Sequence, residues 1–279
     1  MTIEVRALSE AIGAEILGVN ISKPIDDATF GQIHAAWLEH LILLFRGVDW
    51  TPEEHITFTR RFGETHIMDP MSANLPGYPE IYVISNVVRD GKPLGIKRAG
   101  WGWHSDGEEK ELPNKGSLIH ALKVPPANGD TLFANMYLAW DRLLDGTKAK
   151  IKNRRALRSR LRLHHVHYPH TPLTDEIKAR RPDVLHPMAR THPETGRTSL
   201  FVGRWACEIE GISEEEGSAL LAELNEWAVQ PEFVYRHQWR VGDAILWDNR
   251  CTQHCATPFD DERYERHMHR TTIDGVRPM

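Results

Sequence analysis

Cysteine is scarce in this sequence, and its distribution excludes two common kinds of small scaffold. The 279 residues include three cysteines, an odd number that does not suit a framework of disulfide bonds. Cys251 and Cys255 flank His254, but a structural zinc site needs a second pair of ligands that this spacing does not offer. A reduced, cytoplasmic protein is therefore expected.

Long apolar runs and an excess of positive charge are also missing. The longest apolar run, residues 41–45, is far too short to cross a bilayer and suits a buried strand. No basic start followed by an apolar stretch is visible, so a secretory signal is not expected. The formal net charge is −5, and the modest basic cluster at residues 148–162 is interpreted as a solvated helix face. Neither a membrane nor a nucleic acid is expected as a partner.

Short strands are expected to dominate the chain, with helices on the outside. Alternating residues predict strands within 5–19, and capping residues predict helices that begin near Asp26, Thr51 and Ser213. A longer helix is predicted over 138–155, followed by a partly irregular insertion to about residue 187. Further strands are predicted at 41–45, 81–85, 116–121, 131–135, 232–238, 244–247 and 267–273, and in a segment reaching His254. No internal repeat is visible, so residues 1–279 are expected to form a single domain.

The residues with the clearest chemical potential are His104 and Asp106. Residues two apart on a strand point to the same face, so both side chains can reach one metal ion if 103–106 is extended. An isolated pair of this kind is common by chance, but His254 offers a third ligand near the C-terminus. Two histidines and one carboxylate on one face of an octahedron leave three positions open, a geometry typical of non-heme iron(II) oxygenases.

Two arginines, Arg266 and Arg270, lie on the same face of the last predicted strand. If that face lines a barrel interior, their guanidinium groups are placed about 13 Å apart along the strand, in a space poor in water. Such burial is costly unless anions meet the charges. One arginine could then bind the carboxylate of a co-substrate, and the other a second anionic ligand. The alternative is that both arginines pair with internal Asp or Glu residues.

The sequence resembles the taurine dioxygenase family of iron(II)- and 2-oxoglutarate-dependent oxygenases. The resemblance rests on blocks that follow the family's order: Trp-His-Ser-Asp at 103–106, Gly-Asp-Thr-Leu at 129–132, His-Pro at 186–187, Arg-Thr-His-Pro at 190–193, Ser-Leu-Phe-Val at 199–202, Trp-Asp-Asn-Arg-Cys-Thr-Gln-His at 247–254 and Met-His-Arg at 268–270. Each block alone is unspecific, but the combination is highly specific and covers nearly the whole chain. It implies a mainly β fold with flanking helices, built on a double-stranded β-helix (jelly roll).

The resemblance also implies roles for individual residues. His104, Asp106 and His254 match the family's iron(II) ligands. Arg266 matches the arginine that binds the far carboxylate of 2-oxoglutarate, and Thr131 matches the threonine that assists it. Iron(II), 2-oxoglutarate and dioxygen are thus the implied cofactor and co-substrates. The intact Asp106 argues for hydroxylation over halogenation.

The expected substrate site departs from that of the taurine enzyme. Arg270 matches the arginine that holds the substrate sulfonate, but the histidine and tyrosine that contact taurine fall on Met68 and Met71. An asparagine ahead of the metal motif falls near Gly100. Methionines favour a roomier, apolar pocket for an anion larger than taurine.

Other histidines and aromatic residues have a structural alternative. His66 follows a helix end and could face the substrate, and Trp103 could line the mouth of the site, but either could simply pack. The densest histidine cluster, at residues 164–170, lies in the polar insertion without a carboxylate partner and is interpreted as a surface cluster. His120 and His192 are interpreted as structural.

The sequence thus predicts an enzyme that hydroxylates a C–H bond of a small anionic substrate: a sulfonate, a sulfate ester, an aryloxyalkanoate or another carboxylate. If the hydroxylated carbon carries a heteroatom, the product collapses to a carbonyl compound and releases the heteroatom group. One alternative is a biosynthetic tailoring oxygenase for an amino-acid-like or carrier-linked carboxylate. A third interpretation is a non-catalytic jelly roll that binds metal or an anion. A homo-oligomer is expected.

Overall fold

Two β-sheets enclose a cavity in this protein, and helices cover the outside. The computed structural model describes residues 2–67, 73–168, 173–179 and 182–279. Met68, Met71 and His170 therefore lie outside the described residues. None of the helices in the described ranges combines the length and the hydropathy needed to cross a bilayer.

Strands provide most of the regular structure between Glu4 and Ile273. The strands are β1 (Glu4–Ala7), β2 (Ala14–Leu17), β3 (Ile42–Phe45), β4 (Asn74–Leu75), β5 (Tyr78–Ser85), β6 (Val88–Arg89), β7 (Lys92–Pro93), β8 (Gly116–Lys123), β9 (Thr131–Asn135), β10 (Arg155–Arg158), β11 (Val184–Pro187), β12 (Ala189–Thr191), β13 (Thr198–Leu200), β14 (Ala206–Ile209), β15 (Val234–His237), β16 (Ala244–Asp248), β17 (Thr252–Ala256) and β18 (His267–Ile273). The helices are α1 (Asp27–His40), α2 (Pro52–Arg60), α3 (Met136–Asp141), α4 (Asp145–Ile151), α5 (Arg160–His167), α6 (Asp175–Ala179) and α7 (Glu214–Trp227), with a 3-10 turn at Pro231–Phe233.

The larger sheet has the strand order β1-β2-β3-β16-β8-β18-β5-β4, and a smaller sheet has the order β15-β9-β17. Neighbours in the larger sheet are antiparallel except for β2 and β3, which run parallel. Ile119 of β8 and Phe133 of β9 line the same cavity. The cavity therefore lies between the two sheets, and side chains from both can reach it.

Strand β3 lies in the apolar, fully buried centre of the larger sheet. All four of its residues are buried, since β2 and β16 flank it and apolar layers cover both faces. The strand was predicted to begin at Leu41 but begins at Ile42. Leu41 ends α1 with a φ of 67°, and its N–H donates to the carbonyl of Trp37. The helix end thus takes the residue that the apolar run assigns to the strand.

The predicted helix starts are confirmed by their capping contacts. The Asp26 side chain accepts a hydrogen bond from the N–H of Thr29 at 2.7 Å. Thr51 and Glu54 form a reciprocal capping box at the start of α2. Ser213 accepts from the N–H of Glu216 at the start of α7.

The single helix predicted over 138–155 is wrong. The chain forms α3 and α4 there, and an extended Leu144 separates them. Because of this break, the side chains of Leu143 and Ile151 both pack into one apolar cluster beneath α7. Residues Arg155–Arg158 then join a sheet with β11 and β14, so packing against distant strands overrides the local helical pattern.

Candidate functional site

A short backbone pairing brings His104 and His254 together. The N–H of His104 donates to the carbonyl of His254 at 3.1 Å, and the N–H of His254 donates back at 2.8 Å. The strand predicted over 103–106 is wrong beyond this isolated bridge. Gly102 and Gly107 have positive φ angles and bend the chain on either side. Asp106 therefore reaches the histidines from a turn.

The three predicted metal ligands form a buried cluster. The Nε2 atom of His104 is 3.8 Å from Oδ1 of Asp106, and Nε2 of His254 is 4.0 Å from Oδ2. Each residue is at most 8 % exposed. One donor atom from each side chain lies within 4.8 Å of the others, close enough for a single metal ion to contact all three.

The protonation states of the cluster also suit a metal. The Nδ1 atom of His104 is 2.9 Å from the carbonyl of Gly102, so an Nδ1–H tautomer leaves the Nε2 lone pair available. Burial lowers the pKa of both His104 and His254. Burial opposes ionisation of Asp106, but nearby positive charge, chiefly Arg270, outweighs it and lowers the pKa. Neutral imidazoles and an ionised carboxylate are the forms that bind divalent iron.

The Asp106 carboxylate is oriented by two donors: Arg270, for which an internal acidic partner was one of the expectations, and Ser117, which the sequence did not single out. Oγ of Ser117 donates to Oδ2 at 2.7 Å, and Nη1 of Arg270 donates to Oδ1 at 2.8 Å. Asn249 completes a ring of hydrogen bonds with Asp106 and Ser117. Its Oδ1 accepts from the N–H of Asp106, and its Nδ2 donates to Oγ of Ser117, both at 3.1 Å. Two features of the sequence could have indicated these residues. Asn249 lies inside the motif at 247–254, and Ser117 is a polar residue in an otherwise apolar strand.

A cavity that is open to solvent adjoins the cluster. His104 and His254 form part of its wall, together with both predicted anion-binding arginines. The complete lining is Ile84, Ala99, Gly100, His104, Ile119, Thr131, Phe133, Trp239, Trp247, His254, Ala256, Arg266 and Arg270. Two of the predicted metal ligands, His104 and His254, thus line the same cavity as the predicted co-substrate residues.

Arg266 is a buried cation without a carboxylate in contact. The residue is 7 % exposed, and its Nε donates to the carbonyl of Gly129 at 3.2 Å. Within the described ranges no acidic group lies within ion-pair distance of Arg266. The nearby Asp130 pairs with Arg236 at 2.6 Å. Burial lowers the pKa of Arg266 to about 10, although Asp130 opposes the shift. The interpretation of an internal ion pair therefore does not apply to Arg266.

Arg270 does have an internal partner. Besides its hydrogen bond to Asp106, its guanidinium lies 5.1 Å from the ring centroid of Tyr82. Tyr82 occupies the neighbouring strand β5, opposite Arg270 in the register. Arg270 therefore pairs with an internal acid, Asp106, as the alternative interpretation expected.

Thr131 begins β9 and is 7 % exposed. Its Oγ1 accepts a hydrogen bond from Nε1 of Trp239 at 3.0 Å. Both residues line the cavity that also contains Arg266, so Thr131 lies where a ligand of Arg266 could contact it.

The remaining substrate candidates lie elsewhere or outside the described residues. Nδ1 of His66 is 2.8 Å from Oδ1 of Asp274, and His66 is not part of the cavity wall. Trp103 is half-buried against the apolar cluster beneath α7 and does not line the cavity either. Their substrate contacts stay predictions, as does that of the undescribed Met68.

A second buried group, His192, Asp248 and Cys251, also has metal-like spacing. Asp248 is already paired with Arg250 at 2.6 Å and with Nε2 of His192 at 3.1 Å. Nδ1 of His192 accepts two backbone N–H groups. The structural interpretation of His192 agrees with these contacts.

Comparison with known proteins places these features in a family. Residues 4–272 match the family described as "Taurine catabolism dioxygenase TauD, TfdA family". The (S)-phenoxypropionate/alpha-ketoglutarate-dioxygenase of Sphingobium herbicidovorans is 35 % identical, and the match covers 92 % of this chain and 90 % of the relative. The alpha-ketoglutarate-dependent 2,4-dichlorophenoxyacetate dioxygenase of Cupriavidus pinatubonensis is 32 % identical, with 99 % of both chains covered.

A solved structure gives the same result for the fold. The crystal structure of AAD-2 in complex with Mn(II) and N-oxalylglycine has a TM-score of 0.87 and 34 % identity, and covers 100 % of this chain and 98 % of the other. The mainly β architecture is therefore shared, and the non-catalytic interpretation is set aside. The chain belongs to the TauD, TfdA family and is an iron(II)- and 2-oxoglutarate-dependent dioxygenase that hydroxylates a C–H bond of a small anionic substrate.

Proposed function

We propose that His104, Asp106 and His254 bind iron(II) in the core of a double-stranded β-helix. One observation carries the proposal: two of these residues line the same cavity as Arg266, a buried cation without an acidic partner in the described ranges. When bound, the metal and 2-oxoglutarate supply the oxidising chemistry, in which one oxygen atom of dioxygen enters succinate and the other enters the product.

Arg266 and Thr131 are proposed to hold the distal carboxylate of 2-oxoglutarate. Because Nε of Arg266 is engaged with Gly129, the two terminal nitrogens are left for a bidentate contact. Oγ1 of Thr131 already accepts from Trp239, so its own hydrogen remains to be donated to a carboxylate oxygen. Both residues would fix one end of the co-substrate and direct its keto acid end towards the histidines.

We further propose an aryloxyalkanoate, such as a 2-aryloxypropionate, as the substrate. The support is the two relatives named for phenoxypropionate and dichlorophenoxyacetate, together with apolar cavity residues that include Ile84, Ile119 and Phe133. Arg270 would attract the substrate carboxylate to the edge of the metal cluster. Hydroxylation of the carbon beside the ether oxygen gives a hemiketal, which collapses to a phenol and a 2-oxo acid.

The proposal is tested by coupled measurement of succinate and phenol. The enzyme would be supplied with iron(II), ascorbate, air and 2-oxoglutarate, and offered both 2-phenoxypropionate enantiomers, 2,4-dichlorophenoxyacetate, an alkyl sulfate and taurine. We expect stimulation over the blank, with equal amounts of succinate and phenol, from at least one aryloxyalkanoate. Stimulation only by the alkyl sulfate or taurine would overturn the substrate class, and absence of succinate from an iron-loaded enzyme would overturn the proposed site.

A further inference from the structure

Arg204 lies beside the metal-binding segment but has no assigned part in the site. It follows β13, and its Nη1 would lie 3.7 Å from a Cβ placed on Gly102. The carbonyl of Gly102 contacts the imidazole of His104. Arg204 is therefore close enough to act on whatever binds at the cluster.

In the described ranges, the guanidinium of Arg204 forms hydrogen bonds only with uncharged groups. Nη1 donates to the carbonyl of Trp101 at 3.2 Å, and Nη2 donates to the hydroxyl of Tyr168 at 2.8 Å. Nε is buried without a hydrogen-bond partner. None of the described acidic groups lies within 4.0 Å of it, so no carboxylate in the described ranges neutralises its charge. A half-buried guanidinium in this condition is stabilised by an incoming anion.

The backbone around Arg204 is fixed to the metal-binding segment by one carboxylate. Glu108 is fully buried and accepts from the N–H of Ser105 at 3.3 Å and from the N–H of Trp205 at 3.1 Å. A Cβ on Gly203 would lie 2.0 Å from this carboxylate, so the two segments are in direct contact. Nε2 of His167 lies 2.7 Å from the carbonyl of Arg204. The position of Arg204 relative to His104 is thus built into the fold.

Aromatic rings flank the guanidinium of Arg204. The centre of the Arg204 guanidinium lies 5.5 Å from the ring centroid of Tyr168 and 5.2 Å from that of Trp205. Rings at these distances attract a cation but do not neutralise its charge.

We propose that Arg204 binds the anionic group of the organic substrate, so that Arg204 and Arg270 together select a carboxylate or sulfo group. The inference rests on the proposed function and deepens it. Arg270 already donates to Asp106, so its attraction for a second anion is weakened. Among the described residues Arg204 has no such competitor, so its charge remains available for the substrate. A neutral analogue of the same shape would gain nothing from it.

The test measures binding without turnover. Enzyme loaded with Mn(II) and N-oxalylglycine would be titrated calorimetrically with 2-phenoxypropionate, and then with 2-phenoxypropan-1-ol as the uncharged analogue. Arg204→Met should weaken acid binding about 10- to 100-fold, the usual range for a lost charge-assisted hydrogen bond, and should change alcohol binding less than about twofold. Arg204→Lys should recover part of the acid affinity. Arg162→Gln, which removes a half-exposed arginine paired with Glu208, is the matched control.

Three outcomes separate the possibilities. Unchanged acid binding in Arg204→Met would overturn the inference and leave the proposed function intact. Equal losses for acid and alcohol, without rescue by lysine, would also overturn it, because Arg204 would then only support the fold. If wild-type enzyme with bound Mn(II) and N-oxalylglycine bound no aryloxyalkanoate, the proposed substrate would fail first, and this inference with it.

Discussion

Both oxygens of the Asp106 carboxylate receive a hydrogen bond, from Ser117 on one side and from Arg270 on the other. Asn249 holds both the N–H of Asp106 and the hydroxyl of Ser117. The carboxylate is therefore oriented before a metal arrives, and the ion does not have to order it. Partners of this kind orient metal ligands and commonly change metal affinity by about 10- to 100-fold when removed.

Ser117→Ala is expected to weaken Mn(II) binding about 10- to 100-fold. The change removes the donor to Oδ2 and leaves the amide of Asn249 unpaired in a buried position. Mn(II) affinity would be measured by electron paramagnetic resonance of the free ion. Ser199→Ala is the control, since Ser199 is also buried but donates to the carbonyl of Arg250. Equal affinities in the two variants would refute a role for Ser117.

Arg266→Lys is expected to raise the 2-oxoglutarate requirement about 10- to 100-fold, because lysine keeps the charge but loses the bidentate fork. The measurement is the concentration that gives half-maximal succinate formation, together with calorimetric binding of N-oxalylglycine. Arg190→Lys is the matched control: Arg190 is 1 % exposed, and burial lowers its pKa to about 10 as well, but it does not line the cavity. An equal effect in both variants would indicate general damage to the core.

Secondary-structure elements were predictable where their signals are local. Asp26, Thr51 and Ser213 cap helices through contacts with residues three positions away, and such contacts can be read from the sequence. The break between α3 and α4 could not be read in this way. It depends on which leucine enters the cluster beneath α7, and that is decided by tertiary packing.

The site shows the same division. His104, Asp106, His254 and Arg266 could be selected because their residue types and spacing imply metal or anion chemistry, and the structure brings them to one cavity edge. The strand proposed for 103–106 failed because its only bridge is to a distant segment. Ser117, Asn249 and Arg204 were missed since their importance lies in their hydrogen-bond partners, which only the folded chain provides.

A layer of buried histidines connects α2 to the larger sheet. His55 of α2 contacts Thr271 of β18, and His120 and His269 are opposite one another on β8 and β18. Burial lowers the pKa of His55 to about 3 and that of His269 to about 4, with further lowering by the neighbouring histidines. Burial also lowers the pKa of His120. The folded state therefore keeps this layer neutral.

The metal-free protein is expected to lose stability as the pH falls from about 6.5 to about 4.5. The unfolded chain binds protons on histidine below about pH 6.5 and the folded layer does not, so the free energy of unfolding falls by about 1.4 kcal/mol per pH unit for each such residue. Urea unfolding across this range would show His55→Gln with a shallower dependence than wild type. His165→Gln, at an exposed position, should match wild type. Identical slopes in all three proteins would contradict the argument.

At the scale of the whole molecule, charge is distributed unevenly. The chain has a formal net charge of −5, yet Arg266 and Arg270 line the cavity and Arg204 lies beside it. An anionic co-substrate and an anionic substrate are thus attracted locally by a protein whose remaining surface repels them. The fold achieves this by bringing the end of β18 against residues from β8, β9 and β17.

His254 is distant in the chain from His104 and Asp106, so only the folded state brings these proposed metal ligands together, and ligand binding should stabilise the whole molecule. Mn(II) with N-oxalylglycine at about 100 times Kd should add about 2.7 kcal/mol, which for a chain of this size raises Tm by roughly 5 °C. Differential scanning fluorimetry of metal-free and loaded protein would measure this shift. Asp106→Asn should abolish it. Asp243→Asn, which removes a buried carboxylate paired with Arg46, should lower the starting Tm but keep the shift. A full shift in Asp106→Asn would mean that the ion binds elsewhere. Loss of the shift in Asp243→Asn as well would mean that it reports general damage rather than the metal site.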